Sequence, residues 1–326
     1  MARKISESVV VITGASSGIG RATALEFAGR GARLVLTARR EPALREVASE
    51  CEARGGRARA VAGDVTDESA LRAVAAAAIE SHGRIDVWVN NAGVTLFSRF
   101  EDAPADAYRR VIETNLFGCI NGARAALPWF REQGEGVLIN VASVAAAAPQ
   151  PYTSAYVTSK YGIRGFSECL RMELRLDGLD GVHVCTVLPA AIDTPFFEHA
   201  ANYTGRAIRP IPPVYPPERV AQVIVGLARR PRREVFIGAP GLMLAAHHAL
   251  MPGLYERTGA WLVDRVHLAP EPAASTAGNL FEPIPEFAAV HGGWTNGRGA
   301  STVARVAAAI GAAVALPAFA LWALRR

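Results

Sequence analysis

A tyrosine and a lysine, Tyr156 and Lys160, stand four residues apart in a segment with helical periodicity. That spacing places both side chains on one face of a helix, one turn apart. A free phenol is a poor base at neutral pH, but a neighbouring ammonium favours the phenolate. The pair could therefore exchange a proton with a substrate oxygen, although such pairs also occur as plain surface contacts.

Two further polar residues could complete a proton-transfer site. Ser143 ends a predicted strand upstream of Tyr156 and could hydrogen-bond the same substrate oxygen. Asn115 lies within a predicted helix, where asparagine is unfavourable. It could hold a water molecule or bend the helix, or it could be an ordinary surface asparagine.

Lysine is rare in this chain, which contains two lysines, Lys4 and Lys160, against 33 arginines. A compact ammonium can shift its pKa and hydrogen-bond hydroxyl groups in ways that a planar guanidinium cannot. The composition therefore favours a specific role for Lys160.

The sequence TGASSGIG, residues 13–20, follows the first predicted strand and opens the first predicted helix. Glycine lets the backbone approach a phosphate, and a helix N-terminus offers unpaired N–H groups. A tight turn uses the same residues, but the strand before the motif and the helix after it favour a pyrophosphate site. The predicted contacts are Gly14, Ser16, Ser17, Gly18, Ile19 and Gly20.

Three other positions are expected to bind a dinucleotide. At the end of the second strand the chain has Arg39 and Arg40, where an NAD enzyme would carry a carboxylate. Two cations suit a 2′-phosphate, so NADP(H) is favoured over NAD(H). The alternative is a pair of solvated cations. Asp64 and Val65 follow the third strand, where Asp64 could contact the adenine or cap a helix. The turn after the fourth strand is expected to line the same crevice through Asn91, Ala92 and Gly93.

Short β-branched runs alternate with longer helical patterns from residue 9 to about residue 238, which predicts an α/β fold with a doubly wound, parallel, seven-stranded sheet. The predicted strands are 9–13, 33–37, 58–62, 87–90, 137–141, 182–188 and 235–237. The main predicted helices are 20–29, 41–54, 69–81, 105–131 and 154–176. We place a boundary near residue 240, between a catalytic domain, 1–240, and a C-terminal extension, 241–326, with a helical start and a Pro/Gly-rich middle.

Taken together, TGASSGIG, NNAG, Asn115, Ser143 and YVTSK resemble the short-chain dehydrogenase/reductase family over about residues 9–238. The resemblance implies a Rossmann-type fold and hydride transfer by NAD(P)H. It also implies that Asn115, Ser143, Tyr156 and Lys160 relay the proton, and that Tyr156 and Lys160 contact the cofactor. After the sixth strand it implies further cofactor contacts from Pro189, Ile192 and Thr194. Ala190 stands where the family usually has glycine, which puts the path of that loop in doubt.

The same resemblance places a substrate lid at residues 196–215, with the length of a mobile loop. An apolar pocket and hence a hydrophobic alcohol or ketone substrate are expected from the nearby side chains, although such aromatics more often serve packing. These side chains are Phe97, Tyr152, Ile192, Phe196 and Phe197. Carbonyl reduction is the favoured direction. The rival hypothesis is a non-catalytic NADP(H) sensor or scaffold protein on the same fold.

Composition limits the remaining classes of function. The net charge is +5, but the arginines are scattered and no basic run carries interleaved aromatics, so nucleic acid is not an expected partner. The four cysteines form no CxxC pair, and the adjacent His247 and His248 have no further ligand at metal spacing, so we expect no metal site and a reducing, cytoplasmic setting. Residues 306–324 carry no charge, and membrane contact through residues 303–326 is predicted; burial in a dimer is the alternative. The family resemblance implies a homodimer or homotetramer.

Overall fold

The computed structural model describes residues 4–295. At its centre lies one parallel seven-stranded sheet, which confirms the predicted fold class. Each predicted strand is present within one residue of its expected ends, because buried runs of Val, Ile and Leu mark strands of this kind clearly. The sheet strands are β1 (Val9–Thr13), β2 (Arg33–Ala38), β3 (Arg57–Ala62), β4 (Val87–Asn90), β6 (Gly136–Val141), β7 (Val182–Pro189) and β10 (Glu234–Ile237). Further short strands lie outside this sheet: β5 (Leu96–Phe97), β8 (Ala201–Asn202), β9 (Arg206–Ile208) and β11 (Leu268–Pro272).

Helices cover both faces of the sheet and enclose two large apolar clusters, one on each side. The single helix predicted at residues 105–131 is two helices in the structure, separated by a π-helical turn at Glu113–Phe117. The helices are α1 (Gly18–Ala28), α2 (Glu41–Ala53), α3 (Glu68–His82), α4 (Ala105–Ile112), α5 (Gly118–Gln133), α6 (Ser154–Leu176), α7 (Pro217–Arg229), α8 (Ala239–Leu250) and α9 (Pro252–Val266).

The strand order is β3-β2-β1-β4-β6-β7-β10, so the direction of winding reverses between β1 and β4. In open α/β sheets this reversal opens a crevice at the carboxyl ends of the strands, where ligands bind. The glycine loop follows β1 and the turn at Asn91–Gly93 follows β4, so the fold brings both to this crevice.

The described part of the predicted extension, residues 241–295, packs back onto the sheet and its neighbouring segments. Helix α8 begins directly after β10, and β11 pairs with β9 inside the predicted lid. The lid is therefore partly ordered in pairs of short strands, because β8 also pairs with β5. Residues 279–295, called the C-terminal strap below, then return along the carboxyl edge of the sheet.

In the part of the chain that the structure describes, no helix is both long and apolar enough to cross a membrane. The predicted apolar tail at residues 306–324 lies outside the described residues.

Candidate active site

Helix α6 carries Tyr156 and Lys160 into the crevice, where Lys160 is buried and Tyr156 is half-buried. The Lys160 ammonium lies 5.4 Å from the centre of the Tyr156 ring. Its Nζ donates to the carbonyl of Val141 at 2.9 Å, which fixes the ammonium against the end of β6. Ser143, two residues past that strand, hydrogen-bonds the Tyr156 phenol. The three predicted catalytic groups therefore meet at one place.

Burial governs the pKa values of this cluster. Desolvation raises the pKa of Tyr156 to about 12, although the hydrogen bond with Ser143 opposes the rise. Desolvation also lowers the pKa of Lys160 to about 8. The sequence led us to expect a tyrosine pKa lowered by the ammonium, but without a further positive charge nearby the removal of water outweighs that attraction.

Asn115 lies behind this cluster, in the π-helical turn. Its Oδ1 accepts from the backbone N–H of Val94 at 2.8 Å, and its Nδ2 donates to the Val94 carbonyl and to Ser159 Oγ. Ser159 in turn donates to the carbonyl of Tyr156 at 2.7 Å. The side chain thus ties the segment after β4 to helix α6, at a π-helical turn that interrupts the α-helical pattern.

The glycine loop needs its glycines for close approach. Gly14 has φ +65°, and a Cβ there would lie 2.7 Å from the Ala92 Cα. A Cβ on Gly20 would lie 2.1 Å from the Gly14 carbonyl oxygen. Asn91 clamps the loop because its Nδ2 donates to the carbonyls of Thr13 and Gly14. The result is a turn whose backbone lies open to the crevice, as a phosphate cradle requires.

Arg39 and Arg40 point at the C-terminal strap. Arg39 donates to the carbonyls of Asn279, Leu280 and Phe281. Arg40 donates to the carbonyls of residues 284, 285 and 286. Desolvation by these contacts lowers the pKa of both guanidinium groups.

Asp64 is held by two partners beside these arginines. Its Oδ1 accepts from the backbone N–H of Thr66, and its Oδ2 pairs with Arg110 at 2.5 Å. Helix α3 is capped instead by Asp67, which accepts from the N–H of Ser69. The alternative of Asp64 as a helix cap is therefore wrong, whereas its predicted contact with adenine is not tested.

The strap also reaches the start of α1, where the backbone N–H of Gly18 donates to the carbonyl of Ala289. Its far end is fastened to Asp193, which is almost fully buried. That carboxylate accepts from the N–H groups of Gly292 and Trp294 and from the hydroxyl of Thr295. The strap therefore closes one side of the crevice.

A single cavity of about 630 Å³ runs from the glycine loop to Tyr156 and on to the extension. Most of the predicted site residues line it. These are Gly14, Ser16, Ser17, Gly18, Ile19, Arg39, Arg40, Asp64, Val65, Asn91, Ala92, Gly93, Ser143, Tyr156, Lys160, Pro189, Ile192 and Thr194. Gly20 and Asn115 do not, because both are packed behind the wall.

The predicted substrate pocket is also largely present in this cavity, with Phe97, Ile192, Phe196 and Phe197 among its walls. Tyr152 is an exception, because its hydroxyl donates to Asp264 at 2.8 Å. Sequence reasoning missed the contribution of the extension. Cavity walls from α8, from α9 and just beyond include Leu244, His247, Tyr255, Leu262 and His267. No motif marks them, because they lie past the segment that resembles the family.

The model of the short chain dehydrogenase family matches residues 8–203. The uncharacterized oxidoreductase YxnA of Bacillus subtilis is 38% identical over 259 residues, which are 78% of this chain and 72% of that protein. A metagenomic short-chain oxidoreductase solved in complex with NADP has a TM-score of 0.61 and 33% identity, covering 72% of this chain and 98% of its own. An alcohol dehydrogenase from the archaeon Thermococcus sibiricus, complexed with 5-hydroxy-NADP, has a TM-score of 0.62 and 28% identity. The match covers 71% of this chain and 95% of that dehydrogenase.

The matched segment contains the glycine loop, Ser143, Tyr156 and Lys160, and the same fold recurs in the two solved oxidoreductases. Sequence and architecture therefore agree that this chain belongs to the short-chain dehydrogenase/reductase family of oxidoreductases.

Proposed function

We propose that the protein is an NADP(H)-dependent oxidoreductase that interconverts an apolar ketone or aldehyde and its alcohol, with reduction as the direction in cells. The observation that carries this proposal is the meeting of Tyr156, Ser143 and Lys160 on the wall of one cavity whose other end is the glycine loop. A protein that only binds a dinucleotide has no need of a phenol beside a serine and a lysine at that place.

Each residue has a role that follows from its surroundings. With its pKa raised to about 12, Tyr156 stays protonated at neutral pH and suits a general acid that protonates a carbonyl oxygen. Ser143 holds the same oxygen and orients it. Lys160, with its pKa at about 8, is mainly charged at pH 7 and favours the phenolate that remains after the proton has left. Asn115 acts through α6, because its side-chain amide donates to Ser159, which lies between Tyr156 and Lys160 in that helix.

The dinucleotide fits the residues present. The glycine loop is a cradle that a Cβ would fill, and Arg39 and Arg40 stand where no carboxylate competes for a 2′-phosphate. NADP in two similar solved structures supports the preference over NAD. Asp64 and Val65 would hold the adenine end, and Thr194 and Lys160 the nicotinamide end. The cofactor supplies the hydride; the chain supplies binding, orientation and the proton.

The first experiment measures NADPH oxidation against a panel of apolar ketones and aldehydes, with NADH in parallel. Tyr156→Phe should lower kcat by about a thousandfold, since general acid catalysis contributes roughly 10²–10⁴. The dissociation constant for NADPH should stay unchanged. Tight NADPH binding without turnover of any carbonyl compound would favour the sensor hypothesis instead.

The cofactor preference has a separate test. Arg39→Ala and Arg40→Ala should each raise the KM for NADPH and leave the KM for NADH nearly unchanged, because only NADPH carries the 2′-phosphate. Equal effects on both cofactors would show that the two arginines act through the strap alone.

The setting of the enzyme follows from the same features. Cys51, Cys119 and Cys185 are buried free thiols, which supports a reducing, cytoplasmic location. We assign the chemistry to the predicted domain of residues 1–240 and the far end of the substrate cavity to the described start of the extension, in α8, α9 and His267. A homodimer or homotetramer and membrane contact through residues 303–326 stay predictions.

A further inference from the structure

A buried histidine that no role in the proposed reaction uses, His267, lies at the far end of the substrate cavity. It follows α9 at the start of β11, outside the part of the chain matched by the family model. Its ring Nδ1 hydrogen-bonds the backbone carbonyl of Arg209. A carbonyl can only accept, so Nδ1 must carry the proton and Nε2 must present a lone pair when the ring is neutral.

The ring is neutral at physiological pH, because burial lowers the pKa of His267 to about 4. No hydrogen bond to its Nε2 occurs among residues 4–295. His267 therefore brings a hydrogen-bond acceptor to the wall of a cavity that is largely apolar at this end, with Phe97, Phe197 and Leu262 beside it.

A continuous row of rings joins this acceptor to the proposed reaction centre. Tyr156 and Phe196 have ring centres 5.7 Å apart, Phe196 and Phe197 are 5.8 Å apart, and Phe197 and His267 are again 5.8 Å apart. The ring centres of Phe97 and His267 are 4.8 Å apart, and the two rings meet edge to face. A ligand whose carbonyl is at Tyr156 and whose apolar body follows these rings would end at His267.

The histidine is held in place by a network that joins the lid to the extension. The backbone of His267 accepts from the N–H of Arg209 at 3.0 Å, while the Arg209 side chain donates to the carbonyl of Val266. Arg206 pairs with Asp264, which also accepts from the Tyr152 hydroxyl. Because the backbone of His267 and its ring Nδ1 are both hydrogen-bonded to Arg209, the ring is held in place and its Nε2 is pre-organised for a partner.

From this geometry we infer that His267 determines substrate specificity by accepting a hydrogen bond from a hydroxyl group at the far end of an elongated, otherwise apolar ketone or aldehyde. The inference rests on the proposed function for the reaction, but the binding step can be measured without it. An acceptor of this kind favours a hydroxyl group over an ether of the same length, because an ether has no proton to donate.

The test compares matched probes, 10-hydroxydecan-2-one and 10-methoxydecan-2-one, with shorter and longer pairs of the same design. Their dissociation constants are measured by calorimetry on the full chain with oxidised NADP, which cannot reduce a ketone; the absence of NADPH absorbance shows that the terminal hydroxyl of the probe is not oxidised either. We expect the best hydroxy-ketone to bind about tenfold more tightly than its methyl ether, the effect of one hydrogen bond.

Two variants remove the acceptor in different ways. His267→Phe keeps a ring but has no nitrogen, and His267→Leu keeps an apolar side chain without a ring; neither side chain offers an acceptor. Both should bind the two probes about equally. The matched control is His248→Phe, since His248 Nδ1 also contacts a backbone carbonyl, that of Ala147, but the residue does not line the cavity. This control should keep the tenfold preference.

The inference is overturned if wild type shows no preference at any chain length, if it binds neither probe, or if the preference survives in both His267 variants. Turnover with NADPH is then scored separately. A hydroxyl preference without turnover would refute the proposed reaction and leave the binding role of His267 standing, whereas turnover without the preference would do the reverse.

Discussion

Replacement of Lys160 by methionine should make the cofactor-free protein more stable at neutral pH while it abolishes activity. Burial lowers the pKa of Lys160 from 10.5 to about 8. One pKa unit corresponds to about 1.4 kcal/mol, so at pH 7 the buried ammonium destabilises the folded state by about 3 kcal/mol. Methionine removes this charge but also the hydrogen bond to the Val141 carbonyl, worth about 1 kcal/mol. The expected net gain is about 2 kcal/mol.

The gain must depend on pH in a definite direction. Between pH 8 and pH 10.5 the unfolded lysine keeps a proton that the folded lysine has lost, so the contribution of Lys160 to wild-type stability rises with pH in this window. The advantage of Lys160→Met should therefore fall from about 2 kcal/mol at pH 7 to about zero at pH 10.

Urea unfolding followed by circular dichroism measures both values, with the slope of each transition checked for equality. Taking the difference between variant and wild type cancels the titration of the cysteines and tyrosines. Lys4→Met is the matched control, because the only other lysine is exposed and its replacement should change neither value. A variant less stable than wild type at pH 7, or a difference that is the same at pH 7 and pH 10, would refute the reasoning.

Three further outcomes are expected. Gly122→Ala should lower the free energy of unfolding, measured with urea, by about 3 kcal/mol, because its Cβ would lie 2.0 Å from Asn90 Oδ1. Gly226→Ala is the control: a Cβ there meets no atom within 4 Å, so the better helix propensity of alanine should raise the free energy of unfolding by about 0.5–1 kcal/mol. Asp193→Asn should speed hydrogen exchange across residues 288–295, since a neutral amide holds the Gly292 and Trp294 N–H groups more weakly; unchanged exchange would mean that the other strap contacts suffice. Truncation after Gly299 should release the protein from membranes in a flotation assay, and equal flotation of both forms, or of neither, would exclude an anchor in residues 303–326.

The sheet was predictable from the sequence because its strands are buried on both faces. Runs such as Val9–Thr13 and Val182–Pro189 are rich in apolar residues and end at polar or glycine turns, so their limits are visible locally. The break between α4 and α5 was not visible in this way. A π-helical turn adds a residue without any change in composition, and only the bonds from Asn115 to Val94 show why it forms there.

The site could be predicted from the sequence only in part, because several of its side chains bind backbone carbonyls. The sequence predicted Arg39 and Arg40 as a phosphate pair from residue type alone, whereas in the structure both donate to carbonyls some 240 residues away in the chain. A carbonyl acceptor belongs to every residue, so no pattern identifies the segment that will supply it. His267 escaped prediction for the same reason, since the carbonyl of Arg209 defines its tautomer.

The strap and the phosphate groups of the proposed cofactor would compete for the same hydrogen-bond donors. Gly18 N–H, Arg39 and Arg40 all donate to strap carbonyls, and all three are expected to bind phosphate groups. For the neutral Gly18 N–H, a hydrogen bond to an ionised phosphate is roughly twice as strong as one to a carbonyl. Each arginine would gain a charge–charge attraction that a carbonyl lacks, so we expect a phosphate to displace the strap at these three points. The fastening at Asp193 uses none of these donors and would remain. We therefore expect a dinucleotide to release the strap at these three points only. The strap would stay attached at residues 292–295 and through its other contacts, among them the bonds from Arg110 to the Leu280 carbonyl and from Arg21 to the Ala288 carbonyl.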